Sequence, residues 1–285
     1  MGKLVKLLRD FNEFVMFKHT IFSLPFIFIA MIVAAHGWFG WRLLVLGLLA
    51  AMFARNFAMG VNRYLDRDID RLNPRTANRP SVDGRISEPM QLLFIAINAV
   101  GFVVTSYFIN NLAFVLSIPF LIILGGYSYF KRFSEFAHLV LGVALGLAPI
   151  AGVIAVEAKV TMWSLLLALG VMFWVGGFDL LYALQDMEFD KKMGLYSIPS
   201  RYGKECTLFI SKIFHLLSTL FWLLFVMEAG LGFFAYVAVI FAAIMLYYEH
   251  KIVNKDLNKI DRAFFTVNGY LGIVFLIFII LDVAF

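Results

Sequence analysis

The chain has 285 residues, 62% of them hydrophobic and only 15% charged, with a formal net charge of +5 and a mean hydropathy of +0.87. A soluble globular chain averages roughly 45–50% apolar and about 25% charged residues, so this one has too few charges to cover a water-exposed surface. Disorder, collagen, coiled coil and secreted disulfide scaffolds are excluded, and the single cysteine, Cys206, leaves no CxxC metal site.

A membrane-crossing helix needs about 20 apolar residues. Nine candidate spans follow in chain order: 18–36, 41–66, 88–109, 112–130, 136–157, 162–186, 206–228, 231–250 and 262–284. The segment before them, MGKLVKLLRDFNEFVMFKH, is basic and lacks a small-residue cleavage pattern, so it leads into a retained first helix. The connections alternate in kind. Short hairpins lie at 36–40, 110–111, 157–161 and 228–232, and basic loops at 67–87, 131–135, 186–205 and 251–261. Most of the 24 lysines and arginines sit in the N-terminal segment and the basic loops, while the hairpins and their edges offer Arg42 and Lys159. By the positive-inside rule the N-terminus and basic loops face the cytoplasm, and an odd span count puts Phe285 on the far side. The expected fold is an all-α integral membrane bundle of nine transmembrane helices, one domain over 1–285, in a lipid bilayer. Its positive charge is read as topology and not as nucleic-acid binding.

Two spans end, on the basic-loop side, in runs of carboxylates. The first run is Arg55-Asn-Phe-Ala-Met-Gly-Val-Asn62-Arg-Tyr-Leu-Asp66-Arg-Asp68-Ile-Asp70. If the helix continues, Asn62, Asp66 and Asp70 share one face at i, i+4 and i+8, with Arg55 about two turns deeper on that face. In the second run, Asp179, Tyr182, Asp186 and Asp190 are spaced three, four and four apart and make another stripe. Like charges one helical turn apart repel, and a carboxylate in hydrocarbon costs about 2.5–3.5 kcal/mol on the translocon scale. Such stripes need a cation. Mg²⁺ binds carboxylate oxygen, keeps several waters and commonly completes its shell with substrate phosphates, so two facing stripes would suit two metals and a diphosphate. Arg79, Lys131 and Arg132 are the basic residues expected to clamp that diphosphate.

These residues carry a resemblance. NRYLDRDIDRLNPRTANRP followed by GRIS resembles the first signature of the UbiA intramembrane prenyltransferases, and DLLYALQDMEFDKKMGLYSIPSRYG resembles the second. YSYFKRF, between the fourth and fifth spans, is also similar to the family, and the likeness covers nearly the whole chain. The resemblance implies a helical bundle with a central cavity open to lipid, capped on the cytoplasmic side by Mg²⁺ and a prenyl diphosphate. On the matching positions Asp66, Asp70, Asp186 and Asp190 would hold metal, and Asn62, Asp179 and Tyr182 would help to bind diphosphate. Arg55 matches an arginine that faces the aromatic acceptor in the family. Arg63 departs from the pattern, because many members carry Asp directly after the first Asn.

The expected reaction is transfer of a polyprenyl group from polyprenyl diphosphate to an aromatic acid such as 4-hydroxybenzoate. That would place the chain in ubiquinone biosynthesis, in a bacterial plasma (inner) membrane. KHTIFSLPF and GLYSIPSRYG also resemble the quinone branch that includes the futalosine route to menaquinone, which would use a different aromatic acceptor. His19 is a candidate for touching that acceptor. The 32 Phe, 11 Tyr and 5 Trp can line a dry cavity and stabilise an allylic cation, although most are ordinary packing or lipid-facing residues. A secondary transporter is the rival class. Transporter sites lie near the midplane on broken helices, whereas these acids lie at helix ends beside basic loops.

Overall fold

A computed structural model describes residues 2–16, 24–255, 260 and 266–285. His19 and Lys18 lie outside the described residues, as does much of the 251–261 loop. The described residues form helices and turns, without strands. In chain order the α-helices are α1 (Gly2–Phe14), α2 (Leu24–Ala35), α3 (Trp41–Leu65), α4 (Arg67–Leu72), α5 (Glu88–Ile109) and α6 (Asn111–Gly126). After a 3₁₀ segment, Tyr127–Arg132, come α7 (Ala137–Glu157), α8 (Met162–Ala183), a 3₁₀ turn at Leu184–Asp186, and α9 (Met187–Met193). The chain closes with α10 (Ile198–Glu228), α11 (Phe233–Lys255) and α12 (Asn268–Ala284). Seven of these stretches are long and apolar enough to cross a membrane, and α2 and α12 are shorter apolar helices.

The chain forms two compact units. One comprises residues 1–20 and 45–129, and the other residues 21–44 and 130–285. In the first, α1 lays Phe14 and Val15 against Ile86, with Phe11, Met59, Met90 and Phe94 packed around them. Arg9, Asn12 and Glu13 stay exposed, so α1 is an amphipathic helix in its own right and not the start of the first span. In the second unit the core centres on Phe26, Trp174, Trp222 and Phe275. The Phe26 ring is stacked on Trp222 at 5.5 Å, and Trp222 meets Phe275 edge-on at 5.3 Å.

Two glycines set how closely α7 approaches α8. A Cβ on Gly142 would overlap the Met172 carbonyl of α8, and one on Gly146 would come within 3.0 Å of the Ala168 carbonyl. Small residues four apart let helix backbones approach closely where no hydrophobic effect between helices drives them together. Aromatic clusters mark two hairpins. Trp38 and Trp41 pair at 5.1 Å after α2, and Tyr107 meets Phe108 and Phe114 around the α5–α6 turn. Such clusters are the usual anchors at a membrane interface.

Helix boundaries depart from the sequence expectation at one place that bears on the site. The loop expected over 186–205 is largely helical, and α10 begins eight residues early. Ser197 caps it through a reciprocal pair with Ser200, Pro199 lies in its first turn, and Gly203 interrupts it at φ 76° and ψ 179°. A residue with a side chain is strained at that φ, so the charges around Gly203 read as a loop although the chain is helical on both sides.

Candidate active site

The first carboxylate stripe is built where α3 gives way to α4. Asp66 is the break, at φ −86° and ψ 1°. Helical backbone bonding nevertheless carries through it, with Asp66 N–H donating to Asn62 O at 2.9 Å and Asp70 N–H to Asp66 O at 2.7 Å. The spacing read from sequence therefore survives the interruption. Asp66 and Asp70 are buried, at 3% and 4% exposure. The Asn62 amide donates to Asp66 Oδ2 at 2.9 Å and to Ser128 Oγ at 3.1 Å. Turns over 73–83 then fold the chain back, and the Arg79 guanidinium reaches Asp70 Oδ2 at 2.6 Å. Arg79, expected to clamp diphosphate, has a stripe carboxylate as its partner in this structure.

Arg63, the departure from the family pattern, is almost wholly buried. It donates to Phe14 O at 3.4 Å, to Asn62 Oδ1 at 3.3 Å and to Met16 Sδ at 2.8 Å. It therefore fixes which way the Asn62 amide points and ties the stripe to the end of α1. Arg55 contributes to the same tie, one of its guanidinium nitrogens donating to Val15 O at 3.2 Å and Met16 O at 2.9 Å. Cations near the last carbonyls of a helix are favourable there.

The second stripe repeats the design in the other unit. α8 ends at Ala183, and Asp186 is again the break, at φ −100° and ψ 2°, before α9. Gly194, at φ 65°, ends α9. Asp190 accepts from Ser197 Oγ at 3.0 Å and interacts electrostatically with Asp186, Lys131 and His138. Lys131 and Arg132 are half-buried at the end of the 3₁₀ segment, and the Lys131 carbonyl is held by Tyr196 N–H at 2.9 Å. Tyr182, partly buried, packs against the apolar cluster that includes Leu184, Leu208 and Val253. Asp179 is paired with His138 Nδ1 at 2.7 Å. His138, Ser197 and Ser128 are residues that sequence reasoning missed. Ser197 carried a readable capping signal, whereas a lone histidine at a helix start carries none.

Among the described residues no three His, Cys, Asp or Glu side chains gather closely enough to form a metal cage by themselves. Mg²⁺ takes one or two carboxylates and draws its remaining ligands from water and substrate phosphate. The donors on both stripes are hard oxygens, as Mg²⁺ requires.

A helical membrane protein with two acid-bearing helix breaks, each beside arginine or lysine, is the class these features define. The UbiA prenyltransferase family model matches residues 23–278. The chain belongs to the UbiA prenyltransferase family. A 4-hydroxybenzoate octaprenyltransferase of Saccharophagus degradans is 29% identical over 99% of this chain and 91% of its own length. One from Aromatoleum aromaticum is 30% identical over 90% and 87%. Among solved structures, the apo form of a UbiA homolog from Aeropyrum pernix K1 superposes with a TM-score of 0.84 at 31% identity, covering 93% of this chain and 98% of that one. A UbiA homolog from Archaeoglobus fulgidus bound to GPP and Mg²⁺ shares the fold, with a TM-score of 0.79 at 23% identity over 97% and 100%.

Proposed function

We propose that the chain catalyses Mg²⁺-dependent transfer of a polyprenyl group from polyprenyl diphosphate to an aromatic acid, 4-hydroxybenzoate first among them, as a step of quinone biosynthesis. The observation that carries this reading is the repeated helix break, an aspartate with ψ near 0° followed four residues later by a second aspartate. The names of the bacterial relatives support the acceptor, and the GPP and Mg²⁺ bound by the Archaeoglobus protein support the donor and the metal.

Asp66 and Asp70 on one stripe would hold metal, as would Asp186 and Asp190 on the other. When bound, Mg²⁺ supplies charge that stabilises the diphosphate leaving group. Arg79, Lys131 and Arg132 add charge-assisted bonds to phosphate oxygens, and Arg79 would exchange Asp70 for phosphate in doing so. Asn62 orients Asp66, while Asp179 and Tyr182 border the diphosphate. Arg55 meets the acceptor carboxylate. The C–O bond to diphosphate breaks with its electron pair on oxygen, the aromatic ring carbon bonds to the allylic carbon, and the ring loses its proton. Apolar surroundings keep water from capturing the allylic cation.

Both stripes serve this one reaction within a single domain spanning 1–285. In this reading α2 and α12 complete nine spans, with the N-terminus and basic loops in the cytoplasm of a bacterial inner membrane. The acceptor of the futalosine route to menaquinone is the second reading, favoured by the likeness of GLYSIPSRYG to that branch. Purified protein supplied with 4-hydroxybenzoate, a polyprenyl diphosphate and Mg²⁺ should form the prenylated acid, and EDTA or Asp66→Asn should cut the rate more than about 100-fold. Full turnover in EDTA or by Asp66→Asn overturns the metal role. Turnover of other aromatic acids but not 4-hydroxybenzoate replaces the acceptor and keeps the class.

A further inference from the structure

His138, Gly142 and Gly146 succeed one another at four-residue steps along α7 and form one face of it. The two glycines bring that face against Met172 and Ala168 of α8, so the first turn of α7 lies beside the last turns of α8. The imidazole side chain is 9% exposed there, and its Nδ1 meets Asp179 Oδ2 at 2.7 Å. A carboxylate only accepts, so Nδ1 carries the hydrogen. The other ring nitrogen, Nε2, is buried with no hydrogen-bond partner among the described residues. Leaving a polar atom bare costs about 1–3 kcal/mol, which a leucine of similar size in this position would not incur. Packing alone therefore does not account for histidine here, and the bond to Asp179 does.

Asp179 heads the stripe that continues through Tyr182, Asp186 and Asp190, and His138 also acts electrostatically on Asp190. We propose that His138 is a positioning residue of the second stripe, holding Asp179 in one rotamer with its charge turned onto an N–H and away from the diphosphate. This role rests on the proposed binding of diphosphate at the stripes. Without the imidazole, a half-buried carboxylate is free to turn toward a polyanion and repel it. The loss should fall on the diphosphate substrate and spare the acceptor.

The test uses the purified full chain, an uncleavable prenyl thiodiphosphate with Mg²⁺ in a calorimetric titration, and steady-state KM for both substrates. His138→Leu should raise the thiodiphosphate Kd and the diphosphate KM about tenfold, leaving the acceptor KM within about twofold. His138→Asn, whose amide nitrogen takes the place of Nδ1, should recover most of the loss. In an Asp179→Ala background His138→Leu should change nothing further. The proposal is overturned if His138→Leu is silent or moves both KM values equally. It is likewise overturned if His138→Asn is as impaired as His138→Leu. Failure of the unaltered protein to bind the thiodiphosphate overturns the diphosphate reading itself, and this proposal with it.

Discussion

Asp70 of the first stripe faces a guanidinium at 2.6 Å, whereas Asp190, its counterpart four residues past the break in the second, meets a serine hydroxyl at 3.0 Å. The two stripes share sequence spacing and share the break residue with ψ near 0°, yet they are held in different ways. In the first, Asp66 and Asp70 are buried, and Arg63 and Arg79 stand within the same cluster. In the second, Asp186 and Asp190 are only half-buried, Ser197 donates to Asp190 while Lys131 acts on it electrostatically, and His138 holds Asp179. For Asp70 and Asp190 the difference follows burial: a carboxylate taken out of water gains most from a full opposite charge, while one that keeps some solvent can be held by a neutral donor.

This contrast can be broken by removing the partners in turn. Arg79→Leu should have the largest effect on stability. It leaves a buried carboxylate unpaired, and because Arg79 is partly exposed we expect about 2–3 kcal/mol, somewhat below the cost for a fully buried pair. Arg79→Leu combined with Asp70→Asn should restore most of this, since no bare charge remains. Thermal unfolding in detergent reads both variants. A double variant no more stable than Arg79→Leu alone would show that the guanidinium matters for packing instead of charge.

Ser197→Ala should be milder, about 1 kcal/mol, because it removes the cap of α10 together with a neutral contact to Asp190. Ser197→Thr should be close to neutral. A cost for Ser197→Ala as large as that of Arg79→Leu would erase the distinction between the stripes.

The smallest effect lies at the edge of the first unit, where Arg85 binds Glu13 of α1 at 2.6 Å. The Arg85 guanidinium holds the Glu13 carboxyl below its ordinary value of 4.5. A carboxyl depressed on folding stabilises the folded state above its unfolded pKa, and that contribution fades as pH falls through the lower folded value. The pair is solvent-exposed, so a few tenths of a kcal/mol is expected. Amide exchange in α1, corrected for its intrinsic pH dependence, should quicken below about pH 4.5, and Arg85→Gln should abolish that pH dependence. Protection of α1 that is equally pH-dependent with and without Arg85 would rule out the ion pair as its source.

Much of the helix plan was legible in the residues. Apolar runs bounded by hairpin asparagines, glycines and charges located α3, α5, α7 and α8 to within a few residues. What failed did so for identifiable reasons. α1 reads as a charged leader because the buried apolar residues at its end, Phe14 and the following Val15, are few and their partners Ile86 and Phe94 lie far along the chain. The first turns of α10 were hidden by Gly203 and its charged neighbours, although Ser197 and Ser200 already spelled a cap. Arg63 read as a departure from pattern, and only its bonds to Phe14, Met16 and Asn62 give it a purpose.

The sequence by itself determined that the chain lives in a membrane, that its few charges gather beside two helix ends, and that each end carries aspartates one turn apart. Those are properties of composition and of helical periodicity, and no packing is needed to read them. Tertiary structure alone decided the partners of Asp70 and Asp179. Arg79 reaches Asp70 through the turns of a loop, and His138 reaches Asp179 because glycines let two helices touch. Spacing along a helix says which side chains share a face, but the charge state and direction of a buried carboxylate are set by the groups packed against it from other helices.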